Sequence, residues 1–389
     1  MMRFASLFLV WMLLFGMTVA GPTANAAAAP SSPPPLTRGI NLTNWFRYPP
    51  SRDPAALATY LTDRALDGLR AAGFDFVRLA IDPDVVTGSG GTLIVAIRRI
   101  QAHGMAVIVS PHPHDWHVET DRERLLVFWR EMAPKLAILD PILTLPEVLN
   151  EPVFPNDAAG WAALQHRILN EIRRTLPRAT VVLTGNDWGS VGGLVALKPE
   201  SDPNVLYSFH FYDPAELTSL AAYRNDVDRA ALAQLPFPVD RQSNRDMSPH
   251  YATRDLAQYY CSLAWDAPRV AAGIDRAASW ARQHDVRLLL GEFGASIELN
   301  APSRLAWLKA VREASEARNI GWALWGYDDI MGFALHPRPG ARPVLDPAVL
   351  SALGMPALGM PALSVPALSV PTLSVPALSV PTLNVAAVK

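Results

Sequence analysis

Residues 145–152 read LPEVLNEP, a short apolar run that ends in Asn150, Glu151 and Pro152. An apolar run that delivers an amide and a carboxylate at its last positions has the pattern of a buried strand whose polar end opens into a site. Pro152 sharpens the expectation, because a residue before proline is driven toward extended backbone; Glu151 is expected extended, at a strand's carboxyl end. A lone glutamate in such a place is commonly a surface charge or half of a salt bridge, so the second copy of the pattern decides. Residues 286–294 read VRLLLGEFG, another apolar run, ending in Glu292 between Gly291 and Gly294. Two glutamates at the ends of two buried strands are the raw material of a two-carboxylate mechanism. Glu147, four residues before Glu151, alternates onto the same face but deeper, and is expected to be a structural carboxylate paired with a cation.

Outward from these two runs, the chain alternates strand-like and helical segments. Strand-like runs fall at residues 38–42, 76–81, 106–110, 144–150, 180–184, 205–210, 287–291 and 321–325. The clearest helix is 120–139, where Thr120 and Glu123 have capping-box spacing and Leu125, Trp129, Met132 and Leu136 share a face. Another spans 303–318, with Leu305, Leu308 and Val311 in the same spacing. Strands separated by helices pair in parallel, and eight such units predict an α/β fold of the closed (β/α)8, or TIM-barrel, type. A doubly wound open sheet is the structural alternative, but no glycine-rich phosphate loop follows any early strand to call for one. The connection from 211 to 285 is longer than a barrel needs, and its Pro- and polar-rich stretch LPFPVDRQSNRDMSPHY is expected over the mouth.

Composition narrows the classes. The 389 residues are 50% hydrophobic and 18% charged, with a formal net charge of −2. That suits one large globular domain and lacks the clustered basic charge of a nucleic-acid binder. Arg3, the apolar core at 4–19 and the small-x-small Ala24-Asn25-Ala26 read as a secretory signal peptide over residues 1–26. No later apolar segment is long enough to cross a bilayer, so a secreted protein, extracellular or periplasmic and free of membrane, is expected after its removal. An Ala/Pro/Ser linker follows at 27–36, then one catalytic domain at 37–354. From Ser351 pentads repeat (SALGM, PALGM, PALSV), and the tail 355–389 is read as extended and disordered, since proline every fifth residue interrupts helix and strand alike. Cys261 is the single cysteine, so no intramolecular disulfide can form.

In a barrel the carboxyl ends of the strands form one rim. In order they deliver Asn44 and Trp45; Arg78 and Asp82; His112, His114 and Trp116; Asn150 and Glu151; Asn186 and Trp188; His210 and Tyr212; Glu292; and Trp325. Carboxylates, hydrogen-bonding side chains and several tryptophans on one rim suit a sugar, whose hydroxyls need partners and whose C–H faces stack on rings. A metal centre at His112, His114 and His117 is the competing reading. It lacks the i, i+4 helical spacing of H-E-x-x-H, and no metal or cofactor is expected.

The ordered set RGINLTNWF, FVRLAI, VIVSPH, LNEP, SFHFYDP, LLLGEFG and GWALWGYDD resembles glycoside hydrolase family 5, the cellulase family of retaining (β/α)8 glycosidases, over residues 38–354. The resemblance implies Glu151 as general acid/base and Glu292 as nucleophile. It implies Asn150 at the sugar 2-hydroxyl, Arg78 and Tyr212 positioning the nucleophile, and His112 and His210 lining the cleaved-sugar subsite over Trp325. Trp45, Trp116, Trp188 and Asn44 would complete the substrate groove. The third strand carries Ser110-Pro111-His112 in place of the family's D-x-H, which leaves His112 and His114 both open for that subsite. The implied activity is hydrolysis of a β-linked polysaccharide or oligosaccharide, endo-β-1,4 on a cellulose-type glucan. Exo-acting β-1,3-glucan cleavage, β-mannan cleavage and a non-catalytic glycan-binding barrel are the alternatives, and a monomer is the default state.

Overall fold

The computed structural model describes residues 36–239, 250–329, 331–336 and 345–356; the signal-like stretch and most of the pentad tail lie outside them. Eight parallel strands appear where the apolar runs predict them. These are β1 (Arg38–Phe46), β2 (Phe76–Ile81), β3 (Ala106–Pro111), β4 (Thr144–Pro146), β5 (Val181–Thr184), β6 (Val205–Phe211), β7 (Leu288–Phe293) and β8 (Gly321–Leu324). Their order, β4-β3-β2-β1-β8-β7-β6-β5, is that of a barrel. It closes through a single bridge between Glu147 and Val182, reinforced by Val148 N donating to Val182 O at 3.0 Å.

Each strand is buried on both faces, which is why the runs read as nearly continuous apolar sequence. The two faces have different partners. On β2 Val77, Leu79 and Ile81 face outward and join the large layer under the helices, while Phe76 joins a small inner cluster with Ile108, Leu145, Val182, Leu206 and Leu289. That apolar plug fills the amino-terminal half of the barrel. Above it the inward positions turn polar: Asn41, Arg78, Ser110, Glu147, Ser208 and His210 are all buried.

Two local expectations are corrected. The helix predicted at 120–139 is Arg122–Leu136, with Leu125, Trp129, Met132 and Leu136 buried as expected, but the capping box does not form. Thr120 Oγ1 donates to His117 O (2.9 Å) and Asp121 accepts from His117 N (2.9 Å), so both side chains close the preceding turn, and Glu123 pairs with Arg167 instead. The run predicted as strand to Asn150 stops at Pro146, after which the chain turns into the site.

The long connection after β6 carries Ala215–Thr218, Arg229–Leu232, Tyr251–Ser262 and Ala267–His284 as helices; its most polar part, 240–249, lies outside the described residues. Its described part braces the segment after Glu292. Ser296 N donates to Thr218 O (2.7 Å), Asn300 N to Ala233 O (2.9 Å), and Phe237 N to Ser303 Oγ (2.9 Å).

Candidate active site

Strict alternation along β7 would point Glu292 away from the barrel, because Leu289 already faces in. A β-bulge prevents it. Phe209 pairs with Leu290 and the next residue, His210, pairs with Glu292, so Gly291 is the extra residue. An extra residue re-aims everything after it by one face. Glycine suits the position, since a Cβ there would displace the Ser208 hydroxyl and touch His210. Glu292 is thereby turned inward, 3% exposed, against the guanidinium of Arg78.

Arg78 is fully buried and uses all of its fork. It donates from Nε and Nη2 to Glu147 (2.7 and 2.8 Å), from Nη1 to Asn41 Oδ1 (2.9 Å) and to Glu292, and from Nη2 to Asn150 Oδ1 (2.8 Å). Burial disfavours its charged form, but Glu147 and Glu292 outweigh burial and the net shift is upward, so Arg78 stays charged. Glu147 is thus the structural carboxylate expected of it. The second oxygen of Glu292 accepts from Tyr212 (3.0 Å). Burial, and then the neighbouring Glu292 and Glu151, push the Tyr212 hydroxyl well above its ordinary range, so it remains a donor.

Glu151 arrives differently from the expectation. Its φ is +36°, left-handed rather than extended, despite the following proline. Such a conformation costs on the order of 1–3 kcal/mol and persists only when its surroundings impose it. Asn150 N is tied to Pro111 O (2.9 Å), and Asn186 clamps the turn beyond by accepting from Phe154 N (2.8 Å) and donating to Phe154 O (2.9 Å). Asn186 is therefore a brace and not a rim donor. The bend swings the Glu151 carboxylate to 2.9 Å from His210 Nδ1, which also lies 3.6 Å from Glu292 Oε2. One oxygen of each glutamate and the His210 nitrogen all fall within 4.8 Å of one another. Burial pulls the His210 imidazole down, but Glu292 and Glu151 overcome it and the net shift is upward.

Other predicted site residues separate into two groups. His112 lies in the pocket, 2% exposed, stacked on Trp325 at 5.7 Å, with neither ring nitrogen partnered. Burial, then the charges of Arg47, Arg78 and His210, hold it neutral, well below the usual histidine range. His114 stands outside, exposed and bonded to Asp115 (2.8 Å), so the geometry places His112 and not His114 at the cavity. Trp188 is 60% exposed and reaches the mouth, its N donating to Pro152 O beside Glu151 (3.2 Å). Trp45 is no platform: it is fully buried with Nε1 bonded to Leu57 O (2.7 Å), because β1 runs on to Phe46 and carries the indole into the core. Asn44 is likewise buried and donates to Asp328 O; Asp82 caps the helix Pro83–Ala102. Trp116 packs under Arg124 (4.2 Å) and bonds Asp84 (3.0 Å), beside the mouth rather than in it.

Three residues were missed in the sequence: Asn41, Arg47 and Asp329. Asn41 had a signal, since it sits in strand register with Arg78, and it fixes that arginine while donating to Gly291 O (3.1 Å) and Leu324 O (3.1 Å). As for metals, the histidines at 112, 114 and 117 do not gather. Among the described residues Glu151, His210 and Glu292 are the one trio near enough to share an ion, and there Arg78 and Tyr212 already engage the Glu292 oxygens.

A parallel barrel with two opposed carboxylates at its carboxyl-end mouth is the architecture of a (β/α)8 carbohydrate-active protein. The profile described as Cellulase (glycosyl hydrolase family 5) matches residues 37–329, and the chain belongs to that family. It is 24% identical over 331 residues to Endoglucanase 3 of Fibrobacter succinogenes, covering 75% of this chain but only 49% of that protein. It is 22% identical to Endoglucanase C of Acetivibrio thermocellus over 74% of this chain and 90% of that one. Among solved structures, endoglucanase Cel5A of Thermotoga maritima superposes with a TM-score of 0.66 at 22% identity, over 82% of this chain and 97% of that chain, which confirms the barrel.

Proposed function

We propose that this chain is an exported, retaining β-glycosidase that cleaves β-1,4-linked glucan internally. The observation that carries the reading is the approach of Glu151 and Glu292 oxygens to within 4.8 Å. Double displacement uses carboxyl groups roughly 5 to 5.5 Å apart, whereas inversion needs about 6.5–9.5 Å to admit a water between them. The relatives named endoglucanase support the cellulase-type substrate.

In this reading Glu292, oriented by Arg78 and Tyr212, attacks the anomeric carbon while Glu151 gives its proton to the departing glycosidic oxygen. The C–O bond to the leaving chain breaks as the bond to Glu292 forms. Water then enters, Glu151 takes a proton from it, its oxygen bonds the anomeric carbon and Glu292 is released, with the proton left on Glu151 for the next cycle. His210 holds Glu151 against the reacting centre throughout. Asn150, oriented by Arg78, presents its amide to the sugar 2-hydroxyl.

Glu292→Gln is expected to abolish hydrolysis of soluble β-glucan and of aryl β-glycosides alike. Glu151→Gln is expected to lose about 10²–10⁴-fold on glucan but much less on aryl glycosides with good leaving groups, which need no proton. Full activity of Glu292→Gln would end the proposal. Product lengths from defined β-1,4, β-1,3 and β-mannan oligosaccharides separate endo-1,4 action from the exo-1,3 and mannan readings. Tight glucan binding without cleavage by the unaltered protein would establish a binding barrel instead. Export is tested by the amino terminus of the mature protein, expected just after Ala26.

A further inference from the structure

Arg47 follows β1 at the rim. Its guanidinium lies over the Trp325 ring, 5.5 Å from the centroid, and over Tyr48 at 4.7 Å. Its Nε is buried with no acceptor, and among the described residues it forms no ion pair. The acid that feels it most, Asp329, has its two oxygens engaged by Met331 N (2.6 Å) and Phe333 N (2.7 Å). Beside it stands His112, buried and neutral, with two more unpartnered nitrogens.

This combination is unusual for a floor meant for stacking. Trp325 is only 2% exposed, with His112 stacked on it and a guanidinium laid over it. What this end of the cleft offers a ligand is therefore a half-buried guanidinium and imidazole nitrogens more than a bare ring. A buried donor left unpaired is costly, and the oxygens that best satisfy a guanidinium fork belong to a carboxylate.

We infer that Arg47 is a specificity-determining residue that makes the cleft prefer β-glucan chains carrying a carboxylate on a sugar unit next to the cleavage point. The inference rests on the glycosidase reading above and names its substrate class. A uronate or carboxyl-substituted unit beside Trp325 would accept from Arg47, with His112 completing its hydrogen bonds, whereas a neutral unit leaves the guanidinium without an opposite charge.

The test compares cellotetraose with the same oligosaccharide oxidised at C6 to glucuronate, using the full chain. The unaltered protein is expected to show the higher kcat/KM on the acidic substrate. Arg47→Gln should lower the acidic-to-neutral ratio at least about tenfold, and Arg47→Lys should restore part of it, as expected when one partner of a charge pair at a binding surface is truncated. Equal loss on both substrates would make Arg47 a general hydroxyl donor, and loss on neither would make it packing; either overturns the inference. Glu292→Gln separates the layers: activity surviving in it on both substrates would remove the glycosidase reading itself, while its inactivity with an unchanged ratio in Arg47→Gln removes only the charge preference. Unfolding temperatures of both Arg47 variants guard against reading a folding defect as lost selectivity.

Discussion

Arg78 shows how one side chain can organise a site without touching substrate. Five hydrogen bonds from its guanidinium fix two carboxylates and two amides, and all of these partners except Asn150 are buried. Removing one half of a buried pair leaves the other charge stranded, so Glu147→Ala is expected to destabilise the protein by about 3–5 kcal/mol, measured by urea unfolding. His210 makes a pH-dependent contribution whose sign follows from its upward shift. A histidine whose folded value lies above the ordinary 6.5 contributes stability that is fully present below pH 6.5 and is lost as pH rises through the folded value. The stability advantage of the unaltered protein over His210→Gln should therefore be largest near pH 5.5 and shrink toward pH 9, as read from unfolding midpoints. A constant difference across that range would show that the two glutamates do not hold the proton on His210.

At the scale of elements, the bulge in β7 and the turn after β4 do opposite jobs toward one end. The bulge moves Glu292 onto the inner face, and the left-handed turn swings Glu151 across to meet it. The turn depends on the loop after β5, where Asp187, Trp188 and Gly189 are successively left-handed. Gly193 packs against that loop with no room for a side chain, because a Cβ would collide with the Asn186 carbonyl. Gly193→Ala is expected to cost about 1–3 kcal/mol by overpacking. It should also lower kcat, because Asn186 is the clamp on the residues after Glu151; unaltered kinetics with lowered stability would show the clamp to be dispensable.

For the whole molecule, the helix Pro347–Ala352 closes the described fold by burying Val349, Leu350 and Leu353. A chain ending at Pro356 keeps these contacts and is expected to hold its unfolding temperature and its activity on soluble glucan. Ending at 346 removes four buried side chains, these three and Met355, each contributing about 1.5–3 kcal/mol, and should lower stability by several kcal/mol. Equal stability of the two truncations would mean that this helix is an ornament on a barrel complete without it.

The eight strands, their parallel pairing and the two glutamates were legible because they rest on local pattern: apolar runs buried on both faces, helices between them, and polar residues at strand ends. The sequence by itself thus determined the barrel, the rim and the two strand ends that carry Glu151 and Glu292. The tertiary structure decided which way each side chain points. Alternation cannot reveal that Gly291 is skipped, because a bulge exists only relative to the neighbouring strand, and proline's local bias toward extended backbone yielded to the clamp that Asn186 applies from another loop. Trp45 entered the core for the same reason: the register of β1 against β2 shifts between Leu42 and Phe46, and such a shift is set by contact between strands.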